Sequence, residues 1–345
     1  MPDRRSFLKS SLSAIASGVA WPLFRFGSPD PLLRPPRLRR GDTVGIASPS
    51  GITWETDQLN IFRESLAVLG LKTLTGRHAL DRWGYLAGKD EDRAREINDM
   101  FANPDVHAIF ALAGGWGAAR LLPLIDYEMI RRNPKVLLGF SDVTSLLIAL
   151  YARCGLVTFH GPTGNSSWNT FTAGYVRRLL MEGEAVTFEN PAERGDNLTP
   201  VENRIQTIMA GTARGRLVGG NLTVLSSILG SGYLPDWDGH ILFVEDVGED
   251  IYRVDRMLTQ LDLAGVLQSL TGFVFGRCTR CEPDSSYSSF TLMEVLADHI
   301  RPLGIPAFYG SMIGHIRDKF TVPIGVSAEV DAVTGRIQLL EPSVA

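Results

Sequence analysis

The sequence has little cysteine and no large excess of either charge. Three of its 345 residues are cysteine, an odd number that predicts no disulfide framework. The formal net charge is -4, so electrostatics gives no reason to expect a nucleic acid or an anionic membrane surface as a partner. No segment repeats at a fixed period, which argues against solenoids and propellers. The composition is that of an ordinary globular chain, long enough for two packed domains.

A membrane-spanning run is also missing near the N-terminus, where the apolar residues 11–24 fall short of the roughly 20 that cross a bilayer. They follow Arg4-Arg5-Ser6-Phe7-Leu8-Lys9, the residue order of a twin-arginine export signal. Residues 1–20 are therefore predicted to be a twin-arginine signal peptide, and the mature protein is expected in the periplasm. The alternatives are a short membrane anchor and a cytosolic surface helix. Residues 21–40 are predicted to be a Pro- and Arg-rich connector, extended and exposed.

Cys278 and Cys281 have the spacing of a redox pair or of one half of a zinc site. A second pair of ligands is missing, and no strand-to-helix start surrounds them. The pattern favours two small, half-buried residues at the end of a strand. Whether they pair with each other after export stays open.

Short apolar segments alternate with segments of helical spacing in the first half of the chain. Buried strands that alternate with helices indicate a parallel sheet covered on both faces. We therefore predict an α/β protein with an N-terminal parallel-sheet domain over residues 41–164. An interdomain connection is predicted over residues 165–204, and a smaller C-terminal mixed α/β domain over residues 205–345. Ligands of parallel sheets bind beyond the carboxyl ends of the strands.

The segment Gly139-Phe140-Ser141-Asp142 joins a predicted apolar strand to a predicted helix. A serine on such a tight turn exposes its hydroxyl beside the N–H groups of the helix start, as in a nucleophile elbow. Gly139 leaves room for the turn, although Val143 stands where a second glycine is usual. Ser141 is thus a candidate nucleophile. The alternative is an ordinary helix N-cap.

The glycine-rich segment 114–117 follows the neighbouring predicted strand. Its backbone can approach a ligand closely and supply one N–H of an oxyanion hole, with the N–H of Asp142 as the other. A phosphate-binding loop is disfavoured because no Gly-Lys-Ser/Thr follows and the glycine spacing is wrong. A plain tight turn is the remaining alternative.

A general base would come from one of six histidines. His160 follows a predicted strand, and His315 follows a glycine in a loop. Spacing does not choose between these two, and a structural imidazole is the commoner fate of a lone histidine. Surface or core roles are expected for the other four: His78, His107, His240 and His299.

The candidate acids stand at the end of another apolar strand. Glu245 and Asp246 follow Ile-Leu-Phe-Val, and a carboxylate there can orient an imidazole and stabilise its charged form. Glu249 and Asp250 are nearby competitors for that role.

Taken together and in this order, the motifs resemble the LD-carboxypeptidase family of serine peptidases, which includes the microcin-immunity peptidases. The resemblance covers the chain from about residue 38 to its end. It departs from the family at Ala113, where an arginine is common, and at Trp116, where a tyrosine is frequent. The segments that carry it are Gly41-Asp-Thr-Val-Gly-Ile-Ala-Ser-Pro-Ser50, Ala113-Gly-Gly-Trp-Gly117, Gly139-Phe-Ser-Asp142, Gly219-Gly-Asn-Leu222, Leu242-Phe-Val-Glu-Asp246, Tyr252-Arg-Val-Asp-Arg256, Gly314-His315 and Pro323-Ile-Gly325.

The resemblance implies a catalytic triad contributed by both domains. Ser141 is expected as nucleophile and His315 as base. A glutamate is expected to complete the triad, with Glu245 as the first choice and Glu249 as the second.

The resemblance also implies the surroundings of the triad. The oxyanion donors are expected to be the backbone N–H groups of Asp142 and Gly115, and His160 becomes structural or a pocket wall. The resemblance implies a homodimer, and it implies no metal or organic cofactor. The missing guanidinium at Ala113 is expected to alter how a substrate carboxylate is recognised.

The expected reaction is cleavage of an L,D-peptide bond, releasing terminal D-alanine from a cell-wall tetrapeptide. One alternative is an amidase or peptidase of other peptidyl conjugates. Another is a catalytically silent peptide-binding protein of the same fold, and a nucleotide-binding domain is the least favoured.

Overall fold

The computed structural model describes residues 32–282 and 290–345. The predicted signal peptide, residues 1–20, lies outside the described residues, as does most of the predicted connector. The described part of that connector is extended, but it is not exposed throughout. Leu38 is buried, and its N–H donates to the carbonyl of Leu180 at 2.7 Å. The expectation of an exposed connector is therefore wrong at Leu38, where an apolar side chain packs into the core.

The described residues form fourteen strands and eight α-helices. The strands are β1 (Thr43–Ala47), β2 (Lys72–Thr75), β3 (Ala108–Ala111), β4 (Val136–Gly139), β5 (Thr158–His160), β6 (Thr187–Phe188), β7 (Gln206–Met209), β8 (Thr212–Asn221), β9 (His240–Val247), β10 (Gly272–Thr279), β11 (Ala307–Tyr309), β12 (Val322–Ile324), β13 (Ser327–Asp331) and β14 (Arg336–Leu339). The helices are α1 (Thr56–Val68), α2 (Asp90–Ala102), α3 (Tyr127–Arg132), α4 (Thr144–Cys154), α5 (Thr170–Leu180), α6 (Leu222–Ser227), α7 (Ile251–Leu263) and α8 (Leu292–Ile300).

The first sheet has the strand order β12-β5-β4-β3-β1-β2. Strands β1 to β5 pair in parallel, and every residue of β3 and β4 is buried. This confirms the predicted parallel sheet, because strands covered on both faces read as continuous apolar runs. Strand β12 comes from the C-terminal part of the chain and pairs antiparallel with β5. The first sheet is thus completed by a segment that follows His315.

The second sheet has the order β6-β14-β13-β8-β9-β10-β11-β7. Its centre, β8 to β11, is parallel, and its flanks are antiparallel, so the sheet is mixed as predicted. Strand β9 is buried along seven of its eight residues and ends with the predicted acids.

Helix α4 connects the two sheets. It begins directly after the Ser141 turn, and nine of its eleven residues are buried, as expected for a helix that is apolar nearly all round. Thr144 accepts the N–H of Asn221 at 3.0 Å, and the Tyr151 hydroxyl lies 2.8 Å from Nε2 of His240. The end of β4 is thereby held against the second sheet.

Cys278 and Cys281 are half-buried at the end of a strand, as predicted, and the structure answers the question of pairing that the sequence left open. Cys278 and Cys281 form a disulfide at the end of β10, whereas Cys154 is free and buried. Because the cysteine count is odd, the sequence did not predict this disulfide, which closes a very short loop. Within residues 32–282 and 290–345, no helix has the length and apolar character to cross a membrane.

Candidate active site

Ser141 sits on a strained turn between β4 and α4. Its φ is +61°, in the left-handed region that non-glycine residues rarely adopt and that is common at functional sites. Gly139 permits the turn, because a Cβ there would lie 2.8 Å from a methyl of Val143. A 3₁₀ turn over Ser141–Val143 leads into α4, and neither this turn nor α4 has a side-chain hydrogen bond at its N-cap. The helix N-cap alternative for Ser141 is therefore wrong.

The histidine that contacts a carboxylate here is His315. Its Nδ1 lies 2.7 Å from Oε2 of Glu245, which is completely buried. Burial raises the pKa of Glu245, but the His315 hydrogen bond and nearby positive charge outweigh it, so the net pKa is lowered. The carboxylate is thus held ionised against the imidazole, the arrangement that fixes a histidine tautomer. His315 and Ser141 line the same cavity.

The other candidate acids have different partners. Glu249 accepts a hydrogen bond from the Thr223 hydroxyl at 3.2 Å and lies near Arg253. Asp246 accepts from the N–H and hydroxyl of Thr223, and burial together with the Glu245 charge raises its pKa to about 6. Neither contacts His315, so Glu245 is the residue in position for the third triad role.

Asn221 orients the acid, a role that the sequence analysis missed. Its Nδ2 donates to Glu245 at 3.3 Å and to Asp246 at 3.0 Å, while its Oδ1 accepts from the N–H of Val224. One amide therefore caps α6 and fixes both carboxylates. The Gly-Gly-Asn-Leu motif was the available signal, but it does not say where the side chain points.

His160 is buried without a hydrogen bond to either ring nitrogen. Burial lowers its pKa to about 4, so it is neutral at neutral pH. Its ring packs edge-on against Phe140 and Phe243, with centroids 6.0 and 5.5 Å apart. A structural role fits this environment.

Phe140, the residue before Ser141, packs against the imidazole of His315. Its ring centroid lies 4.7 Å from that of His315, and the Lys319 ammonium lies 4.0 Å from it. Burial lowers the pKa of Lys319 to about 8, and the charge of Glu245 opposes that shift.

The glycine loop 114–117 packs against the turn at Ser141. A Cβ on Gly114 would lie 2.8 Å from Cβ of Ser141, and Gly115 has φ +116°. The Asp142 carboxylate accepts the N–H of Ala118 at 2.7 Å and so fastens the two segments together. Both segments that hold the proposed oxyanion donors thus meet at Ser141.

Arg93 holds two of the loops beside Ser141 in place, through contacts that the sequence did not predict. Its buried guanidinium donates to the carbonyls of Pro49 and Gly117 and to the carboxylate of Asp90. Burial lowers its pKa, and Asp90 opposes the shift. Two of the loops around the site are therefore tied to α2.

A cavity of about 640 Å³ opens above Ser141. Among the described residues that line it, none is Asp, Glu, Lys or Arg. The lining residues are Gly51, Ile52, Trp54, Gly84, Tyr85, Ala113, Gly114, Gly115, Trp116, Phe140, Ser141, Asn165 and His315.

The fold and the site define a two-sheet α/β protein in which a serine on a strained turn shares a cleft with a carboxylate-bound histidine. The LD-carboxypeptidase N-terminal domain matches residues 44–161, and the LD-carboxypeptidase C-terminal domain matches residues 214–330. A "Probable murein peptide carboxypeptidase" of Bacillus subtilis (strain 168) is 35% identical over 303 residues, 86% of this chain and 91% of that protein. The chain belongs to the LD-carboxypeptidase family.

Solved structures agree with this assignment. The microcin C7 self-immunity protein MccF in its wild-type apo state has a TM-score of 0.82 at 28% identity, covering 91% of this chain and 100% of that one. A muramoyltetrapeptide carboxypeptidase from Oxalobacter formigenes has a TM-score of 0.73 at 29% identity, covering 86% and 97%. The predicted two-domain α/β fold is confirmed.

Proposed function

We propose that this protein is a serine carboxypeptidase that cleaves an L,D-peptide bond and releases terminal D-alanine from a murein tetrapeptide. The observation that carries the proposal is the 2.7 Å contact between His315 and Glu245 at the cavity that Ser141 lines. Membership of the LD-carboxypeptidase family supports the reaction class.

In the proposed mechanism the Ser141 hydroxyl attacks the scissile carbonyl carbon. Nδ1 of His315 is engaged by Glu245, which leaves Nε2 to take the serine proton. Glu245 stabilises the resulting imidazolium and does not itself take the proton. Its lowered pKa is consistent with that role.

The developing oxyanion would be bound by the N–H groups of Gly115 and Asp142. His315 would then protonate the leaving D-amino acid as the acyl-enzyme forms. A water molecule, deprotonated by the same imidazole, would release the shortened peptide and free Ser141.

We further propose that the enzyme is exported by the twin-arginine route and acts in the periplasm. The Arg4-Arg5 motif supports the route, and the Cys278–Cys281 disulfide is of the kind that persists in oxidising compartments. The homodimer stays a prediction.

The proposal is tested by incubating mature protein with a murein tetrapeptide and following free D-alanine by mass spectrometry. Release by the wild type and loss in Ser141→Ala is the expected result. Equal release by both proteins would refute Ser141 as nucleophile. No release by either would refute the reaction.

A second candidate is hydrolysis of an aminoacyl conjugate, which the high fold similarity to the microcin immunity protein favours. An aspartyl sulfamoyl nucleoside is the probe, since MccF has been solved in complex with aspartyl sulfamoyl adenosine. Release of aspartate faster than release of D-alanine from tetrapeptide would favour this function.

A further inference from the structure

The Cys278–Cys281 disulfide lies beside the strand that carries the candidate triad acid. It closes the end of β10, which pairs in parallel with β9. In that pairing Cys278 is opposite Asp246, the residue after Glu245. The N–H of Gly248 donates at 2.9 Å to the carbonyl of the residue that follows Cys278. The end of β9 is therefore joined to the disulfide-bonded turn.

The same end of β10 also contacts the loop that holds His315. The N–H of Arg277 donates to the carbonyl of Ile313 at 2.8 Å. Gly314 is closely enclosed, since a Cβ there would lie 3.2 Å from the carbonyl oxygen of Arg277 and 3.0 Å from Oε2 of Glu245. Arg277 and Glu245 thus both pack against the residue that precedes the base.

The turn between the two cysteines has a conformation that the disulfide restrains. Arg280 has φ +58°, in the left-handed region that disfavours residues with a Cβ. Breaking the S–S bond removes this restraint, so the turn can relax and the end of β10 can move. Because Arg277 directly precedes Cys278, that movement reaches the loop of His315.

The disulfide is open to a reductant. Cys278 and Cys281 are half-buried, and Arg280 between them is exposed. Cys154, in contrast, is fully buried, and burial raises the pKa of its thiol to about 12. Thiol–disulfide exchange requires access for an attacking thiolate. We therefore expect a reductant to act on the Cys278–Cys281 pair and to leave Cys154 unchanged.

We propose that Cys278 and Cys281 form a redox modification site that controls the reactivity of Ser141. The disulfide form keeps His315 in contact with Glu245 and is active, whereas the dithiol form is slow. We call this change the redox switch. It rests on the proposed function in that it takes Ser141 as the nucleophile, and it adds regulation of that site.

The reductant is a dithiol. Its thiolate attacks one sulfur of the pair and forms a mixed disulfide, while the other sulfur leaves as a thiolate and takes a proton. The second thiol of the reductant then attacks the mixed disulfide, loses its proton and releases the remaining cysteine as a thiol. Two electrons and two protons pass to the cysteine pair, and the reductant becomes a disulfide.

The test measures how fast a fluorophosphonate probe labels Ser141 before and after reduction of the mature protein with dithiothreitol. We expect reduction to slow labelling by roughly tenfold, because a displaced His315 lowers the fraction of protein in reactive geometry. Reoxidation with oxidised glutathione should restore the rate. Mass spectrometry after alkylation with iodoacetamide measures the free thiols in each sample.

Two variants serve as controls. Cys278→Ser/Cys281→Ser should be labelled at the slow rate and should not respond to dithiothreitol. Asp126→Ala is the matched control for a general loss of stability, because Asp126 caps α3 through the N–H of Met129. It keeps the disulfide and should be labelled at the wild-type rate. Far-UV circular dichroism verifies that every sample is folded.

Kinetics on tetrapeptide gives a second readout of the redox switch. We expect reduction to lower kcat by roughly tenfold and to leave KM within about twofold. The aromatic residues that line the cavity follow β1, β2 and β3, so substrate binding should be retained when the end of β10 moves. They are Trp54, Tyr85 and Trp116.

The outcomes separate the redox switch from the proposed function. Redox-dependent labelling without any release of D-alanine would refute the proposed function and support the switch. An equal kcat for the oxidised and the reduced wild type would refute the switch and leave the proposed function in place. Slowing of the double variant by dithiothreitol would also overturn the switch, since the effect would not come from this disulfide. Equally slow labelling of Asp126→Ala would attribute the loss of reactivity to lost stability instead.

Discussion

Nδ1 of His315 lies 2.7 Å from Oε2 of Glu245, across a sequence separation of 70 residues. Glu245 lies near the end of β9 and is fully buried, whereas His315 lies in the loop before β12 and reaches the cavity. A buried carboxylate held by an imidazole and by Asn221 is arranged to orient the base rather than to meet the substrate.

Replacement of Glu245 tests whether this carboxylate orients His315 without binding the substrate. Glu245→Gln keeps the side-chain shape but removes the charge that stabilises imidazolium. It also replaces one of the two acceptor oxygens, which face Asn221 and His315, by an NH2 donor, so the amide no longer fixes the imidazole tautomer while it accepts from Asn221. We expect kcat to fall by roughly 10³- to 10⁴-fold with little change in KM. Steady-state kinetics on tetrapeptide measures both. Glu249→Gln is the matched control and should stay within about twofold of the wild type, because Glu249 contacts Thr223 and not His315. A larger loss in Glu249→Gln than in Glu245→Gln would reverse the assignment.

The strained turn at Ser141 predicts a trade between stability and activity. Its φ of +61° disfavours any side chain that carries a Cβ. The free energy of unfolding of Ser141→Gly should therefore be roughly 1 kcal/mol larger than that of Ser141→Ala. Both variants should lose D-alanine release. Denaturant unfolding of the two variants gives the comparison, and an equal or lower stability of Ser141→Gly would argue against strain at this residue.

The sequence could predict those features of the fold and the candidate site that have a local sequence pattern. The apolar strands, the serine turn at Ser141 and the acid at the end of β9 each have a local signature. The choice of His315 over His160 came from family resemblance, because two lone histidines after glycine-rich or strand segments look alike. Only the fold shows that one imidazole meets a carboxylate and that the other is sealed among Phe140 and Phe243.

The contacts that could not be predicted are long-range and carried by side chains. Arg93 belongs to a helix of alternating charges, and nothing local shows that its guanidinium turns inward to Pro49 and Gly117. Asn221 likewise fits any helix N-cap until β9 is placed beside it. Strand β12 is short and follows the loop that holds His315, so chain order alone does not assign it to the first sheet.

His160 predicts a specific loss of stability in acid. Its pKa is about 4 in the folded protein and 6.5 in the unfolded chain, so below pH 6.5 the unfolded chain binds a proton that the folded protein does not. Stability should therefore fall as the pH drops from about 6.5 to about 4. His160→Leu removes this titration without breaking a hydrogen bond, because both ring nitrogens lack a partner.

Unfolding of His160→Leu and the wild type, followed at pH 7 and at pH 4.5, measures this effect. On going from pH 7 to pH 4.5, we expect the free energy of unfolding of His160→Leu to rise by roughly 2 kcal/mol relative to that of the wild type. The matched control is His78→Leu, because the pKa of His78 is raised by its hydrogen bond to Asp81. That protonated pairing stabilises the fold at low pH and weakens as the pH rises, so its loss should change acid stability in the opposite direction. The same gradient in His160→Leu as in the wild type would contradict the prediction.

The Cys278–Cys281 disulfide predicts a redox-dependent stability. Cys278 pairs with Asp246 across β9 and β10, and the N–H of Arg277 donates to Ile313 at 2.8 Å, two residues before His315. Closing a loop this short restricts the unfolded chain only modestly, by about 2 kcal/mol. Reduction with dithiothreitol should lower the unfolding free energy of the wild type by that amount. The Cys278→Ser/Cys281→Ser double variant should begin at the lower value and show no response to the reductant. If dithiothreitol also lowered the unfolding free energy of the double variant, the loss would not come from this disulfide. If dithiothreitol left the unfolding free energy of the wild type unchanged, the disulfide would not restrain the end of β10.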